Sequence, residues 1–151
     1  MLALSGCAGN ICLETGCADQ VYATVTSADG SFPSGTHRVE VLADGVTRTC
    51  TFTFPLATGA GGHDVQPTCG NGLSVGVYPQ LACGGDACQP IPGKFEEIIT
   101  VDGTPAQVHA WQYVDDVAIL DAAAAPSYRG ARTSPDCPPA CQTASVTWTL
   151  Q

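Results

Sequence analysis

The chain of 151 residues is the size of one domain, and a domain of this length buries roughly 70% of its unfolded surface in a core of its own. It carries 14 Asp and Glu against 5 Lys and Arg, which gives a net charge of −9. Such a surface repels phosphate backbones and offers no basic stripe, so the composition argues against nucleic acid as a partner. No apolar run reaches the length of about 18 residues that a membrane-spanning helix requires.

The N-terminal residues Leu4-Ser5-Gly6-Cys7 place an apolar and two small residues before a cysteine. This motif resembles the lipobox of bacterial lipoproteins, and the resemblance implies that Cys7 is lipidated and becomes the mature N-terminus. Residues 1–6 lack the regions of a complete signal peptide, so we interpret them as a remnant of one. Residues 7–19, rich in Gly and Cys, would then tether the chain to a membrane of the bacterial cell envelope, at the outer membrane or cell surface.

Nine cysteines in so short a chain are typical of an oxidising compartment, where disulfides persist. The odd number leaves one thiol over, and lipidation of Cys7 accounts for it. The other eight are predicted to form disulfides: Cys12, Cys17, Cys50, Cys69, Cys83, Cys88, Cys137 and Cys141. Proximity in sequence favours 12/17, 50/69, 83/88 and 137/141, although pairing of the tether cysteines with the body of the domain is equally allowed.

The first strands are predicted from a period of two in β-branched residues, beginning at Val21. Two alternating runs, 39–43 and 46–54, flank Asp44-Gly45, and an Asp-Gly pair in this position is a strong signal for a hairpin. Within the second run Cys50 and Phe52 share one face, so both are expected to point into the core.

The middle of the chain alternates between loop and strand signals. Gly-rich residues 55–62 predict a loop, and 63–69 a short strand that ends at Cys69. Leu73, Val75 and Val77 lie on one side of the next strand. Residues 81–93 are expected to form a long loop, stapled if Cys83 bonds Cys88, before a strand at 95–101.

Three further elements are expected towards the C-terminus. Residues 108–114 form a strand, and residues 115–125 form either a short helix capped by an aspartate or a strand at 117–120, of which we favour the strand. Residues 127–140 are predicted as loop and 144–150 as a final strand.

About seven or eight short strands separated by turns predict an all-β protein, an antiparallel β-sandwich stapled by disulfides, as one domain over residues 20–151. The order of strands and the run Val39-Glu40-Val41-Leu42-Ala43-Asp44-Gly45 resemble immunoglobulin-like or transthyretin-like modules of secreted bacterial proteins. The motifs of this resemblance are generic, and it implies only the fold.

The sequence lacks the patterns of common catalytic and metal sites. No Cys-x-x-Cys redox motif or Gly-x-Ser-x-Gly elbow occurs, and the histidines, His37, His63 and His109, lie apart from any such motif. The pairs Glu96-Glu97 and Asp115-Asp116 are adjacent, so in strands their carboxylates face opposite sides and are interpreted as surface acids. We therefore predict no catalytic residue, no metal site and no cofactor.

One strand face carries the three residues that could bind a ligand, His109, Trp111 and Tyr113. Exposed aromatic rings in a row would suit sugar rings, but we expect these side chains to fill the core, as large aromatics commonly do. The sequence thus predicts a non-enzymatic lipoprotein of the cell envelope with a structural or adhesive role, and the alternative is a surface module that binds a carbohydrate or protein ligand.

Overall fold

The computed structural model describes residues 17–55, 69–131 and 141–151. Within them the chain forms nine strands. In chain order the strands are Gln20–Thr26 (β1), Gly35–Ala43 (β2), Val46–Phe54 (β3), Leu73–Gly84 (β4), Ala87–Asp102 (β5), Val108–Val114 (β6), Val117–Ala124 (β7), Arg129–Ala131 (β8) and Cys141–Thr149 (β9). In this part of the chain no helix is long and apolar enough to cross a membrane.

The strands form two sheets that pack face to face as a β-sandwich, which confirms the predicted fold class. One sheet has five strands in the order β4-β5-β1-β9-β8, and the other has four in the order β3-β2-β6-β7. All neighbouring strands are antiparallel except β1 and β9, which run parallel. The strand β8 lies within the region predicted as loop.

Alternating apolar side chains build the core between the two sheets. Along β3, for example, Cys50, Phe52 and Phe54 are buried while the threonines between them face solvent, as the sequence pattern predicts. The most deeply buried apolar side chains are mainly β-branched residues: Val21, Val25, Val39, Val41, Val77, Ile99, Val101 and Val108. Such residues suit a pleated surface that is buried on one side.

Tight turns with positive φ angles set two of the hairpins. Asp44 and Gly45 have φ angles of 51° and 74°, which confirms the predicted hairpin between β2 and β3. Asp115 and Asp116 have φ angles of 47° and 66° and connect β6 to β7 in the same way. Aspartate tolerates this region better than most residues, so the second pair turns the chain instead of capping a helix, and the favoured strand prediction is confirmed.

The prediction of a loop at 81–93 is wrong. Strands β4 and β5 run on as a two-stranded arm past the end of β1, and Cys83 lies directly opposite Cys88 near its tip, joined to it by the predicted disulfide. Pro90 and Pro92 lie within β5 in this arm, and proline is tolerated in a strand whose free edge has no partner.

The disulfides confirm two of the favoured pairings and correct two. Cys50 bonds Cys69 as predicted. Cys17, however, bonds Cys141 across 124 residues of sequence, so the local pairs 12/17 and 137/141 are wrong. The reason is topological: β1 and β9 are parallel neighbours, so the residues that precede them meet at the same end of the sheet. Cys7, Cys12, Cys137 and residues 63–68 of the strand predicted at 63–69 lie outside the described residues.

Replacing both Cys17 and Cys141 with alanine is expected to lower the free energy of unfolding by about 5 kcal/mol, because this bridge constrains a very long loop in the unfolded chain. The control is the double alanine variant of Cys83 and Cys88, whose short loop predicts a loss of about 2 kcal/mol. Denaturant unfolding followed by circular dichroism measures both losses. A larger loss for the Cys83 and Cys88 variant would contradict the prediction.

Candidate functional site

The aromatic row of β6 lies on the outer face of the four-stranded sheet. Val108, Ala110, Gln112 and Val114 are buried, whereas His109, Trp111 and Tyr113 alternate with them and are only half-buried. The expectation that the aromatic side chains fill the core is therefore wrong.

The pairing of β6 with β2 explains this orientation. Val39 and Val41 point into the core, and their partners across the ladder are Gln112 and Ala110. Directly paired residues of an antiparallel ladder lie on the same face of the sheet, so the smaller residues of β6 must point inward with them. The aromatic residues are left facing outward.

Ring contacts order the aromatic side chains on this face. The rings of His109 and Trp111 are stacked, with centroids 3.8 Å apart. The guanidinium of Arg38 lies 4.2 Å from the centre of the Tyr113 ring, a cation–π contact. These contacts cover one part of each ring and reduce the freedom of the side chains.

Charged groups from the neighbouring strands flank the rings. Glu40 on β2 and Asp121 on β7 are the direct partners of Trp111 in the two ladders. Glu40 forms an ion pair with Arg38, and the Asp121 Oδ1 lies 2.6 Å from the His109 Nε2. We call the group formed by Arg38, Glu40, His109, Trp111, Tyr113 and Asp121 the aromatic face.

A cleft of about 680 Å³ adjoins the His109 end of the aromatic face. Small apolar residues form much of its wall, and Asp44, Gln107 and His109 add polar groups. The lining residues are Leu42, Asp44, Gly45, Ala106, Gln107, Val108, His109, Ala123, Ala124 and Ala125. None of them has a hydroxyl or thiol group.

Of the other two histidines, the structure describes only His37, which does not join this site. His37 is fully buried in the core, and His63 lies outside the described residues. Among the described residues no group of three or more His, Cys, Asp or Glu side chains is arranged to hold a metal ion.

Beneath the aromatic face, three buried polar side chains form a network that the sequence analysis missed. Gln112 on β6 points inward between Trp111 and Tyr113, and its Nε2 lies 3.0 Å from the Glu97 Oε1 and 3.0 Å from the His37 Nδ1. Glu97, interpreted as a surface acid, is completely buried. Its strand β5 places it between Val25 and Val77 on the neighbouring strands, both of which face the core.

Hydrogen bonds determine which ring nitrogen of His37 carries a proton. The Gln112 Nε2 has two hydrogens and donates one to Glu97 and the other to the His37 Nδ1, so this ring nitrogen is unprotonated. The His37 Nε2 then donates to the Pro33 carbonyl oxygen at 2.7 Å. The ring is stacked between Phe32 and Phe52, and burial lowers the pKa of the imidazole, which is therefore neutral.

Burial acts on Glu97 in the opposite sense. It raises the pKa of the carboxyl to about 8, and the hydrogen bond from Gln112 offsets only part of that rise. The Glu97 Oε2 and the Gln112 Oε1 have no hydrogen-bond partner among the described residues. Both of these atoms are acceptors when the carboxyl is ionised, so the network as described favours the protonated acid.

The strand pattern contained a signal for this network. Glu97 shares its parity with Ile99 and Val101, which are core residues, and Gln112 shares its parity with Val108 and Ala110. Because adjacent residues of a strand face opposite sides, one member of the Glu96-Glu97 pair had to point towards the core.

Comparison of this chain with protein-family models, curated protein sequences and solved structures finds no match. The functional assignment therefore rests on the residues and contacts of the chain itself.

The substitution Glu97→Gln is expected to remove a loss of stability that the natural chain suffers as the pH rises. Below about pH 4.5 the carboxyl is protonated in both the folded and the unfolded chain. Between pH 4.5 and 8 only the unfolded chain ionises, so the free energy of unfolding falls by about 1.4 kcal/mol per pH unit. Above this range the loss is complete.

Denaturant unfolding at a series of pH values measures this difference. Glu96→Gln is the control, since Glu96 lies on the same strand but on the opposite face. Parallel stability profiles for the natural chain and the Glu97→Gln variant would contradict the prediction.

Proposed function

We propose that this chain is a non-enzymatic lipoprotein of the bacterial cell envelope, at the outer membrane or cell surface, with an adhesive role in which the aromatic face binds a glycan. The observation that carries the proposal is the position of Trp111 and Tyr113 outside the core, in a row along one strand. The parts of these half-buried rings that face solvent provide apolar surface for the apolar faces of sugar rings.

Polar groups around the rings support a sugar ligand. Arg38 and Glu40 on one side of Trp111 and Asp121 on the other supply hydrogen-bond donors and acceptors for hydroxyl groups. A few placed polar groups beside an apolar surface are typical of binding sites for small ligands. The adjoining cleft at His109 adds space for a further part of the same ligand.

The charge of the face favours an uncharged glycan. Arg38 is paired with Glu40, and the Asp116 Oδ1 lies 3.8 Å from its Nη2. Glu40, Asp116 and Asp121 thus place three carboxylates near the aromatic face, which has one arginine, Arg38. The whole chain has a net charge of −9. A polyanionic glycan would meet repulsion from this surface.

The disulfides support the proposed location. The described residues contain three disulfides, one of which joins the start of the domain to its last long strand. Disulfides persist in an oxidising compartment such as the cell envelope. In the proposal, the lipid on Cys7 attaches the domain to the membrane and leaves the aromatic face available.

The substitution Trp111→Ala is expected to weaken glycan binding by at least about tenfold, because it removes the largest apolar surface of the aromatic face. Affinity electrophoresis with soluble neutral polysaccharides and pull-down on insoluble cellulose, chitin and peptidoglycan measure the binding. The matched control is Tyr22→Ala, which removes an aromatic ring of 37% exposure from β1, in the other sheet.

Equal binding by the Trp111→Ala variant and the natural chain would contradict the proposed site. Retention of no polysaccharide by the natural chain would contradict glycan binding and favour a purely structural role.

The substitution Cys7→Ser is expected to abolish the incorporation of labelled palmitate and to release the protein from the membrane fraction, since the thiol is the acceptor of the lipid. Labelling in bacterial cells followed by fractionation measures both effects. Labelling of the Cys7→Ser variant at the level of the natural chain would contradict lipidation at this residue.

A further inference from the structure

Gln112 connects the buried network to the aromatic face. It points into the core from the same strand that presents Trp111 and Tyr113, its two chain neighbours, to the outside. Its amide nitrogen donates hydrogen bonds to both Glu97 and His37. Any reorientation of this side chain therefore acts on the strand at the centre of the aromatic face.

The network tolerates a neutral carboxyl much better than a carboxylate. Both hydrogens of the Gln112 Nε2 are already in use, and the two unpartnered atoms are oxygens. A proton on Glu97 supplies a donor to a network that otherwise has only acceptors left. Without that proton, the buried carboxylate has a single hydrogen bond and no cation beside it within the described part of the chain, which is costly in a low-dielectric core.

We propose that Glu97 makes the aromatic face responsive to pH: the neutral carboxyl holds Gln112 and, through it, Trp111 and Tyr113 in place, and ionisation of the carboxyl releases them. Only the effect of this regulation on ligand binding rests on the proposed function. The change in the face itself needs no ligand.

The ladder between β6 and β7 is interrupted at this position. Gln112 pairs with Leu120 and Tyr113 with Ala118, so Ile119 is an extra residue in β7 and the register shifts between Gln112 and Tyr113. A bulge interrupts the hydrogen bonds of the ladder locally. Adjustment of Gln112 to a buried carboxylate therefore displaces the strand where the two aromatic side chains are attached.

Few other charged groups act on Glu97. Its partners on β1 and β4 are Val25 and Val77, and the titratable group joined to it through Gln112 is His37, on which Asp115 acts from the turn after β6. The pKa of the Glu97 carboxyl, about 8, places the response in the mildly alkaline range.

The fluorescence of Trp111 tests the proposal directly. Trp148 is the only other tryptophan, so Trp148→Phe isolates the emission of Trp111, and adding His109→Gln removes the titratable ring that is stacked on it. We expect the emission and its quenching by acrylamide to change with a midpoint near pH 8. The change should vanish with Glu97→Gln and persist with Glu96→Gln.

Persistence of the change in a folded Glu97→Gln variant, or a flat profile in its parent, would overturn the proposal. If the Glu97→Gln variant fails to fold, the pH profile of its parent, which carries Trp148→Phe and His109→Gln, still tests the proposal. Carbon NMR of glutamate labelled at the carboxyl follows the four glutamates of the chain. One signal must titrate with the same midpoint as the Trp111 emission, and a different midpoint would overturn the link.

Binding measurements separate this inference from the proposed function. If a neutral polysaccharide binds, its affinity for the His109→Gln variant should be about tenfold lower at pH 9 than at pH 6, and adding Glu97→Gln to that variant should remove the difference. If none binds while the Trp111 emission still changes through Glu97, the glycan proposal fails and the pH response stands. If a polysaccharide binds with no dependence on Glu97, the pH response fails and the glycan proposal stands.

Discussion

The antiparallel register between β2 and β6 is the constraint on which the rest of the described structure depends. It pairs Val39 with Gln112 and Val41 with Ala110, and because the valines are in the core, their partners must be there too. The same register leaves Trp111 on the outer face beside Glu40. A shift by one residue would bury the aromatic row and expose Gln112, so one set of ladder hydrogen bonds determines both the polar network and the candidate binding surface.

The sequence predicted those features that depend on neighbouring residues. Alternation located most strands, the Asp44-Gly45 turn located a hairpin, and the inward direction of Cys50 followed from its own strand. The predictions from sequence failed for features that depend on contacts between segments far apart in the chain. The Cys17–Cys141 bridge depends on the parallel contact of β1 with β9, and the face on which Trp111 lies depends on the partner strand. The pairing of β1 with β9 leaves no trace in local periodicity, whereas the parity of Val108 and Ala110 was a signal for the face of Trp111.

The buried network makes the core beneath the aromatic face less stable than apolar side chains would make it. Glu97, Gln112 and His37 occupy positions that apolar side chains would fill without unpartnered oxygen atoms. Buried polar groups stabilise a fold only when their hydrogen bonds are complete, and here the Glu97 Oε2 and the Gln112 Oε1 have no partner among the described residues. The rings of Phe32 and Phe52 restrict the orientation of His37 at one end of the network. At the other end, the hydrogen bonding of Glu97 and Gln112 is incomplete among the described residues.

The bridge between Cys17 and Cys141 also determines how the domain responds to mechanical force. A pull applied at Cys17 acts on the chain just before β1. Because the disulfide joins this point to the start of β9, the load divides between two strands that lie side by side in the middle of the five-stranded sheet. To separate them from their neighbours, the pull must shear several backbone hydrogen bonds at once, so a domain held by its N-terminal segment resists being unzipped one residue at a time.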